Sequence, residues 1–204
     1  MMLLALSSAL AVEAEVAAEV GTLHNGDPAY DAFVRGNGMP SAGLRLGFRP
    51  RAEKHFPVGV LASWQHSSRG SDVSSVGPSY TAAFTSDTFA LGPKVDVDLG
   101  GVLAPYVTAQ GVLMRGLARF DDDRSDNDSP GQTRYTGVAP GVFTMGGIEA
   151  SSPDIPEMPL EFLVFVEVGY GWVAPLELGG LGSMQPGGVV VRAGTGVRFG
   201  RSGR

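Results

Sequence analysis

Two segments near the C-terminus alternate with a period of two residues, and that period restricts them to β-strands. From Leu160 to Trp172 the even positions are Leu160, Phe162, Val164, Val166, Val168, Tyr170 and Trp172, opposed by Glu161, Glu167, Gly169 and Gly171. From Val189 to Phe199 the odd positions are Val189, Val191, Ala193, Thr195, Val197 and Phe199, opposed by Arg192, Gly194, Gly196 and Arg198. Successive side chains of a strand point to opposite faces, so each segment has one apolar face and one small or charged face.

Earlier segments repeat the scheme. Val16, Ala18 and Val20 oppose Glu15 and Glu19; Leu44, Leu46 and Phe48 oppose Arg45 and Arg49; Phe56, Val58, Val60, Ala62 and Trp64 oppose His55, Gly59, Ser63 and Gln65. Phe89, Leu91, Val95, Val97 and Leu99 oppose Lys94, Asp96 and Asp98, with Pro93 expected as a local irregularity. Residues 104–118 and 135–149 are strand-like in content, but their faces stay unassigned. The sum is about eight strands, with ten left open, each long enough for the roughly 9–11 residues of a tilted membrane strand. Helix signals are poor: 30 glycines and 14 prolines interrupt nearly every window in which a 3.6-residue stripe could form.

Connections alternate in length. Residues 51–54 and the region of Gly100-Gly101 are short and 151–159 is a moderate Pro-rich turn, while 24–40, 68–80, 119–134 and 174–187 read as longer polar or Gly-rich loops. Short turns on one side and long loops on the other is the layout of an up-and-down barrel of the outer-membrane type. Met1 to Ala14 reads as a secretory signal peptide, an apolar run followed by small residues, with Ala11 or Ala14 the last residue removed. That run is too short to span a bilayer as a helix, which needs about 20 residues. The chain has no cysteine, which excludes a disulfide scaffold, a zinc-thiolate site and a cysteine nucleophile. Its net charge of −6 opposes nucleic-acid binding, which needs a basic face.

Alternation alone fits two barrels of opposite sense. A soluble barrel turns its apolar face inward and covers its exterior with polar groups. Here the second face is mostly Gly, Ala, Ser and Thr with a few charges of both signs, thin cover for a solvated exterior but suited to a narrow lumen. The expectation is therefore an all-β fold: a single up-and-down antiparallel transmembrane β-barrel of about eight strands over residues 15–204, apolar face to lipid. A soluble periplasmic ligand-binding barrel is the alternative. On this layout the chain resembles small bacterial outer-membrane β-barrel proteins of the OmpA/OmpX kind. The last strand carries the most specific part, since Arg192, Gly194, Val197 and Phe199 fill the places of that family's C-terminal assembly signal, with Gly200 to Arg204 extending beyond it. The resemblance implies an outer-membrane location with both termini in the periplasm and four longer loops outside. It implies lipid and lipopolysaccharide as surroundings, the assembly machinery as a partner, a monomer, and no cofactor. The implied role is structural or surface-interacting, with limited permeation of small solutes.

Glu161, Glu167, Arg192 and Arg198 fall on the lumen face of the last two strands and Glu15 and Glu19 on that of the first. Barrel closure makes first and last strands neighbours, so these charges are expected to form one ion-pair network. It would act as a gate or, in so narrow a lumen, as a structural plug. His66 and Ser68 match the His-x-Ser spacing of outer-membrane lipid A deacylases, the enzymatic alternative. Arg69 departs from that motif, and no Glu between Glu53 and Glu149 is available to orient the histidine. Asp121-Asp122-Asp123 and Asp126-Asn127-Asp128 do not fit an EF-hand, so no metal site is expected. Tyr80, Tyr106, Tyr135, Tyr170, Trp64 and Trp172 are candidates for an interfacial aromatic girdle.

Overall fold

The computed structural model describes residues 12–28, 38–50, 58–73, 80–97, 99, 102–122, 132–152 and 160–200. In chain order the strands are β1 (Val12–His24), β2 (Gly38–Pro50), β3 (Val58–Val73), β4 (Tyr80–Asp96), β5 (Leu103–Asp122), β6 (Gln132–Ser151), β7 (Leu160–Val173), β8 (Leu176–Glu177), β9 (Ser183–Met184) and β10 (Gly188–Phe199). Eight of them close a ring in the order β1-β10-β7-β6-β5-β4-β3-β2, every pairing antiparallel, while β8 and β9 pair only with each other. The ring shuts where β1 meets β10, from Ala14 opposite Phe199 to His24 opposite Val189. Closure leaves no continuous strand edge, the condition for a sheet to sit in hydrocarbon. The barrel therefore has eight strands, not ten.

The alternation sorts cleanly into an outside and an inside. Phe162, Val164, Val166, Val168, Tyr170 and Trp172 face outward, as do Leu44, Leu46 and Phe48 of β2 and Phe89 and Leu91 of β4, all at 43–61% exposure. Glu15, Glu19, Arg45, Lys94, Glu149, Glu161, Glu167, Arg192 and Arg198 are buried inside. Above the turns nearest the termini, no Asp, Glu, Lys or Arg among the described residues faces outward until the cross-strand row of His66, Asp87 and Arg115. An apolar belt of this extent is far larger than the few hundred Å² that soluble monomers expose, whereas lipid is its natural solvent. The soluble alternative would need the opposite faces. This exterior, on a closed eight-stranded ring, is that of a transmembrane barrel.

The two unassigned segments become β5 and β6. Val107 and Leu113 point out while Thr108, Gln110, Val112 and Met114 point in; Val142 and Ile148 point out while Phe143, Met145 and Glu149 point in. Pro93 does not disturb the alternation, since Lys94 and Asp96 stay inside. Its effect is confined to the β4–β5 ladder, which skips Gly92 and Pro93 between Leu91–Gly111 and Lys94–Thr108. A proline has no N–H to donate there.

Strands β3 to β6 run 16, 17, 20 and 20 residues, against 13 for β1 and β2. They stay paired past the apolar belt, as far as Val73–Tyr80 and Asp121–Gln132. The expected loops 68–80 and 119–134 are thus strand at both ends, over 68–73, 80, 119–122 and 132–134, while 74–79 and 123–131 lie outside the described residues. In this protruding part the faces exchange character. Ala82, Phe84 and Ala118 are buried inside, while Ser68, Arg119 and Arg134 face out. The reversal fits water, not lipid, around the protrusion.

Candidate functional site: the occluded lumen

The half of the lumen nearest the chain termini is filled by a charged cage. Its centre is Arg45, from β2, with no exposed surface. Arg45 Nε lies 3.0 Å from Glu15 Oε1, and its Nη1 lies 3.4 Å from Glu167 Oε2. The guanidinium carbon sits 4.1 Å from the Phe165 ring centroid and 5.3 Å from that of Tyr106. Tyr106 in turn donates its hydroxyl to Glu167 Oε2 at 2.9 Å. Around this centre Lys94 Nζ reaches Glu149 Oε2 at 2.8 Å, Asp96 Oδ1 at 3.1 Å and Glu15 Oε2 at 3.6 Å. Arg198 pairs with Glu161 at 3.4 Å, with Glu15 at 3.3 Å and closely with Glu149. At the mouth, Arg49 joins Glu13 to Asp96, the latter at 3.1 Å.

Register explains why these residues meet. Glu167 stands opposite Arg192, Glu161 opposite Arg198 and Glu15 opposite Arg198 in the paired strands. Of the six charges singled out from the sequence, Glu15, Glu161, Glu167 and Arg198 enter the cage directly. Arg192 joins through Nη1 at 3.5 Å from Glu167 Oε1. Glu19 is linked instead through a hydrogen bond, 2.8 Å, from the Gln65 amide. The residues not singled out are Arg45, Lys94, Glu149, Tyr106, Arg49, Glu13 and Asp96. Arg45, Arg49, Lys94 and Asp96 already stood opposite apolar runs, which is the signal that would have found them; Glu149 and Tyr106 lay in the two segments of unassigned face.

The half of the lumen farther from the chain termini is apolar on one wall. Met114, Phe143, Met145, Val112 and Val190 cluster there with Phe84 and Val173. Onto this cluster folds the segment 174–187, which does not lie outside as a loop. Leu176, Leu178 and Met184 are buried in the same cluster. The β8–β9 hairpin turns through a 3-10 turn at Gly179–Leu181, with φ of +58° at Gly179 and +90° at Gly182, a backbone region glycine adopts freely. Its seat is a pair of glycines, Gly116 and Gly137, register partners on β5 and β6. A Cβ on Gly116 would lie 2.4 Å from Leu176 Cδ2, and one on Gly137 would lie 2.3 Å from the Glu177 carbonyl oxygen. The other flank of the segment is tied down by polar contacts: the Gln185 N–H donates to Asp27 Oδ2 at 2.7 Å, and the Asn25 amide donates to the Gln185 carbonyl.

On the outer wall, His66 Nδ1 is 2.9 Å from Asp87 Oδ1, so a carboxylate does orient the histidine, supplied across the β3–β4 pair. Ser68 Oγ, however, is hydrogen-bonded with Thr85 Oγ1 at 3.3 Å. The nucleophile–base contact that hydrolysis requires is therefore not formed. Among the candidate girdle aromatics, Trp64, Tyr170 and Trp172 face outward, with the Tyr170 and Trp172 rings 4.9 Å apart. Tyr106 and Tyr135 instead point into the lumen. In β10, Gly194 packs closely, since a Cβ there would lie 2.4 Å from the Ala18 carbonyl oxygen and 2.5 Å from Phe165. Among the described residues no group of acidic, His or Cys side chains is arranged to hold a metal ion.

An eight-stranded ring with a lipid-compatible exterior and a charged interior defines a transmembrane β-barrel of the outer-membrane class. No family model matches the sequence, and no curated protein matches it. Among solved structures the chain is similar to Ail, the attachment invasion locus protein of Yersinia pestis, in complex with the heparin analogue sucrose octasulfate. The identity is 15%, with 92% of this chain and 99% of that one covered at a TM-score of 0.48. It is also similar to Neisserial surface protein A, at 13% identity, 94% and 97% coverage and a TM-score of 0.44. At such identities and scores the fold rests on the strand register of this chain itself.

Proposed function

We propose that this protein is a non-enzymatic outer-membrane barrel whose role is surface interaction, with a lumen closed to solutes at rest. The observation that carries this reading is the protruding sheet of β3 to β6, presented above the belt on a barrel blocked both by the Arg45 cage and by the 174–187 plug. Lipid and lipopolysaccharide would surround the belt. Arg192, Gly194, Val197 and Phe199 would serve as the signal read by the assembly machinery. The enzymatic alternative is weaker, because Ser68 is engaged by Thr85 and not by His66.

Orientation tests the reading, and the absence of native cysteine makes it simple to do. Thr136 is exposed on the protruding sheet and Val102 is exposed at the opposite end. A membrane-impermeant maleimide is expected to label Thr136→Cys in intact cells, and Val102→Cys only after the outer membrane is permeabilised. The reverse pattern would place the sheet in the periplasm and end the surface-interaction reading.

The same geometry supports removal after Ala11 over removal after Ala14. Glu13 binds Arg49, and Ala14 lies opposite both Phe48 and Phe199 in the closing strand. Removal after Ala11 keeps these contacts, whereas removal after Ala14 deletes them. N-terminal sequencing of the outer-membrane form is expected to begin at Val12; a start at Glu15 would contradict this.

A further inference from the structure

The plug of 174–187 is an amphipathic hairpin laid on an apolar floor. Leu176, Leu178, Met184 and Pro186 are buried on its inner side, while Glu177, Ser183 and Gln185 on the other side are exposed. Met184 faces Leu176 across the β8–β9 pair, and Leu178 follows two residues on, so the three side chains make one apolar row. The floor beneath them is Met114, Met145, Phe143, Val112 and Val190. Methionine is unbranched and polarisable, and it repacks readily around a different apolar guest.

The hairpin is held more loosely than the wall it covers. Its strands pair only with each other, and the Leu178 N–H donates to the Gly182 carbonyl at 2.9 Å to close the turn internally. Among the described residues its hydrogen bonds to the barrel lie at its two ends. There the Ala174 N–H donates to the Pro140 carbonyl, and Gln185 is tied to Asn25, Asp27 and Val173. Beside the floor is a cavity of about 20 Å³ that shares Met39, Met114, Phe143 and Val190 with the apolar cluster and carries Ser41, Ser67, Ser86 and Thr88 on another wall. A hydrocarbon chain on the floor with one hydroxyl at these side chains suits both walls. An ionic head does not, because no charged side chain lines the cavity and an unpaired buried ion costs far more than a hydrogen-bonded hydroxyl.

We propose that the floor under the plug is a binding site for a neutral single-chain amphiphile, of which a long-chain alcohol is the simplest, and that the hairpin occupies it as a displaceable stand-in. Leu176, Leu178 and Met184 hold the place of the hydrocarbon chain, and Ser86 and Thr88 with Ser41 and Ser67 take the hydroxyl. A ligand that must first displace the hairpin binds with an apparent affinity lowered by the fraction of barrels in which the site stands open. It goes no deeper, since the Arg45 cage closes the lumen below. This rests on the reading of the plug as a seal of the resting lumen; the orientation test by labelling at Thr136→Cys is independent of it.

The experiment is methyl NMR on the full-length barrel in nanodiscs of deuterated lipid, titrated with decanol. Four of the seven methionines, Met39, Met114, Met145 and Met184, lie in the cluster and serve as reporters. At saturation, nuclear Overhauser contacts from decanol to the Met114 and Met145 methyls are expected, with Met184 leaving the cluster. Both side chains are only 2% exposed, so decanol merely dissolved in the lipid reaches the outward-facing Leu91 and Val166 but not these methyls. Gly137→Val, which unseats the plug, is expected to lower the half-saturating decanol concentration about tenfold, the site no longer being pre-occupied. If that variant does not fold, Leu178→Asp unseats the hairpin from outside the ring and takes its place. Contacts confined to Leu91 and Val166 overturn the site, and an unchanged half-saturation in a folded, unseated variant overturns the role of the hairpin as its occupant. Decanoate reaching the same methyls at the same concentration overturns the neutral ligand class.

Discussion

Replacing Arg45 with methionine is expected to lower the stability of the barrel in lipid by about 3–5 kcal/mol, the loss typical when one partner of a buried ion pair is removed. The side chain has no exposed surface and touches two carboxylates, those of Glu15 and Glu167, on two other strands. Methionine keeps much of the length and the packing on Phe165 but leaves both carboxylates short of a positive partner in a low-dielectric interior. Urea unfolding from vesicles can be followed through Trp64 and Trp172, both on the lipid-facing wall. Adding Glu167→Gln should recover part of the loss, because it removes a carboxylate left with Arg192 as its remaining cation; the non-additivity of the pair measures their coupling. A single-variant loss of under about 1 kcal/mol would put Arg45 in the range of an exposed pair, and the cage would not be a structural seal.

How much of this could be read from residues alone depended on what each strand faces. In β7 and β10 the lumen side is charged or small and the lipid side is large and apolar, so the period-2 contrast is complete and the inside follows from it. In β5 and β6 the lumen side changes along the strand. Thr108 and Gln110 give way to Val112 and Met114, and Glu149 to Met145 and Phe143. Once both faces are apolar, alternation carries no contrast, and the faces of 104–118 and 135–149 could not be assigned. Beyond the membrane the contrast returns inverted, with Phe84 inside and Arg119 outside, and a lipid-facing template reads that stretch as loop.

The candidate site divides along the same line. Charges opposed in adjacent strands near the closure, such as Glu167 with Arg192, were legible because β7 and β10 are close in sequence and β10 forms the seam with β1. Arg45 meets Glu167 across the barrel, and that contact depends on the stagger of the three pairings, β2–β1, β1–β10 and β10–β7, that separate their strands in the ring. No local pattern encodes it. The carboxylate beside His66 was missed for a related reason: Asp87 is set by the β3–β4 register, and a search for glutamate by sequence distance passes over it. The plug left only a composition trace, the glycines of 179–182, which mark a tight turn but not where that turn is placed.

Two seals in series make a sharp expectation about conductance. Gly137→Val puts a side chain where the Glu177 carbonyl oxygen now sits, only 2.3 Å from the new Cβ, so the plug backbone must leave. The strand itself should tolerate valine, a residue favoured in sheets. Expelled, residues 174–187 should become open to added protease from the outer side, while planar-bilayer conductance stays at background because the Arg45 cage still closes the lower half. Arg45→Gln alone should be equally silent, since the cage is weakened but the plug remains. Only Gly137→Val combined with Arg45→Gln is expected to conduct, with the compact unheated gel mobility confirming that the barrel is intact. Conductance from the Gly137→Val single variant would mean the plug alone holds the lumen shut. Silence from a folded double variant would mean that the apolar wall of Phe143 and Met114 closes the path even without Leu176. These outcomes separate a barrel merely filled by its side chains from one that holds a pore shut at two places.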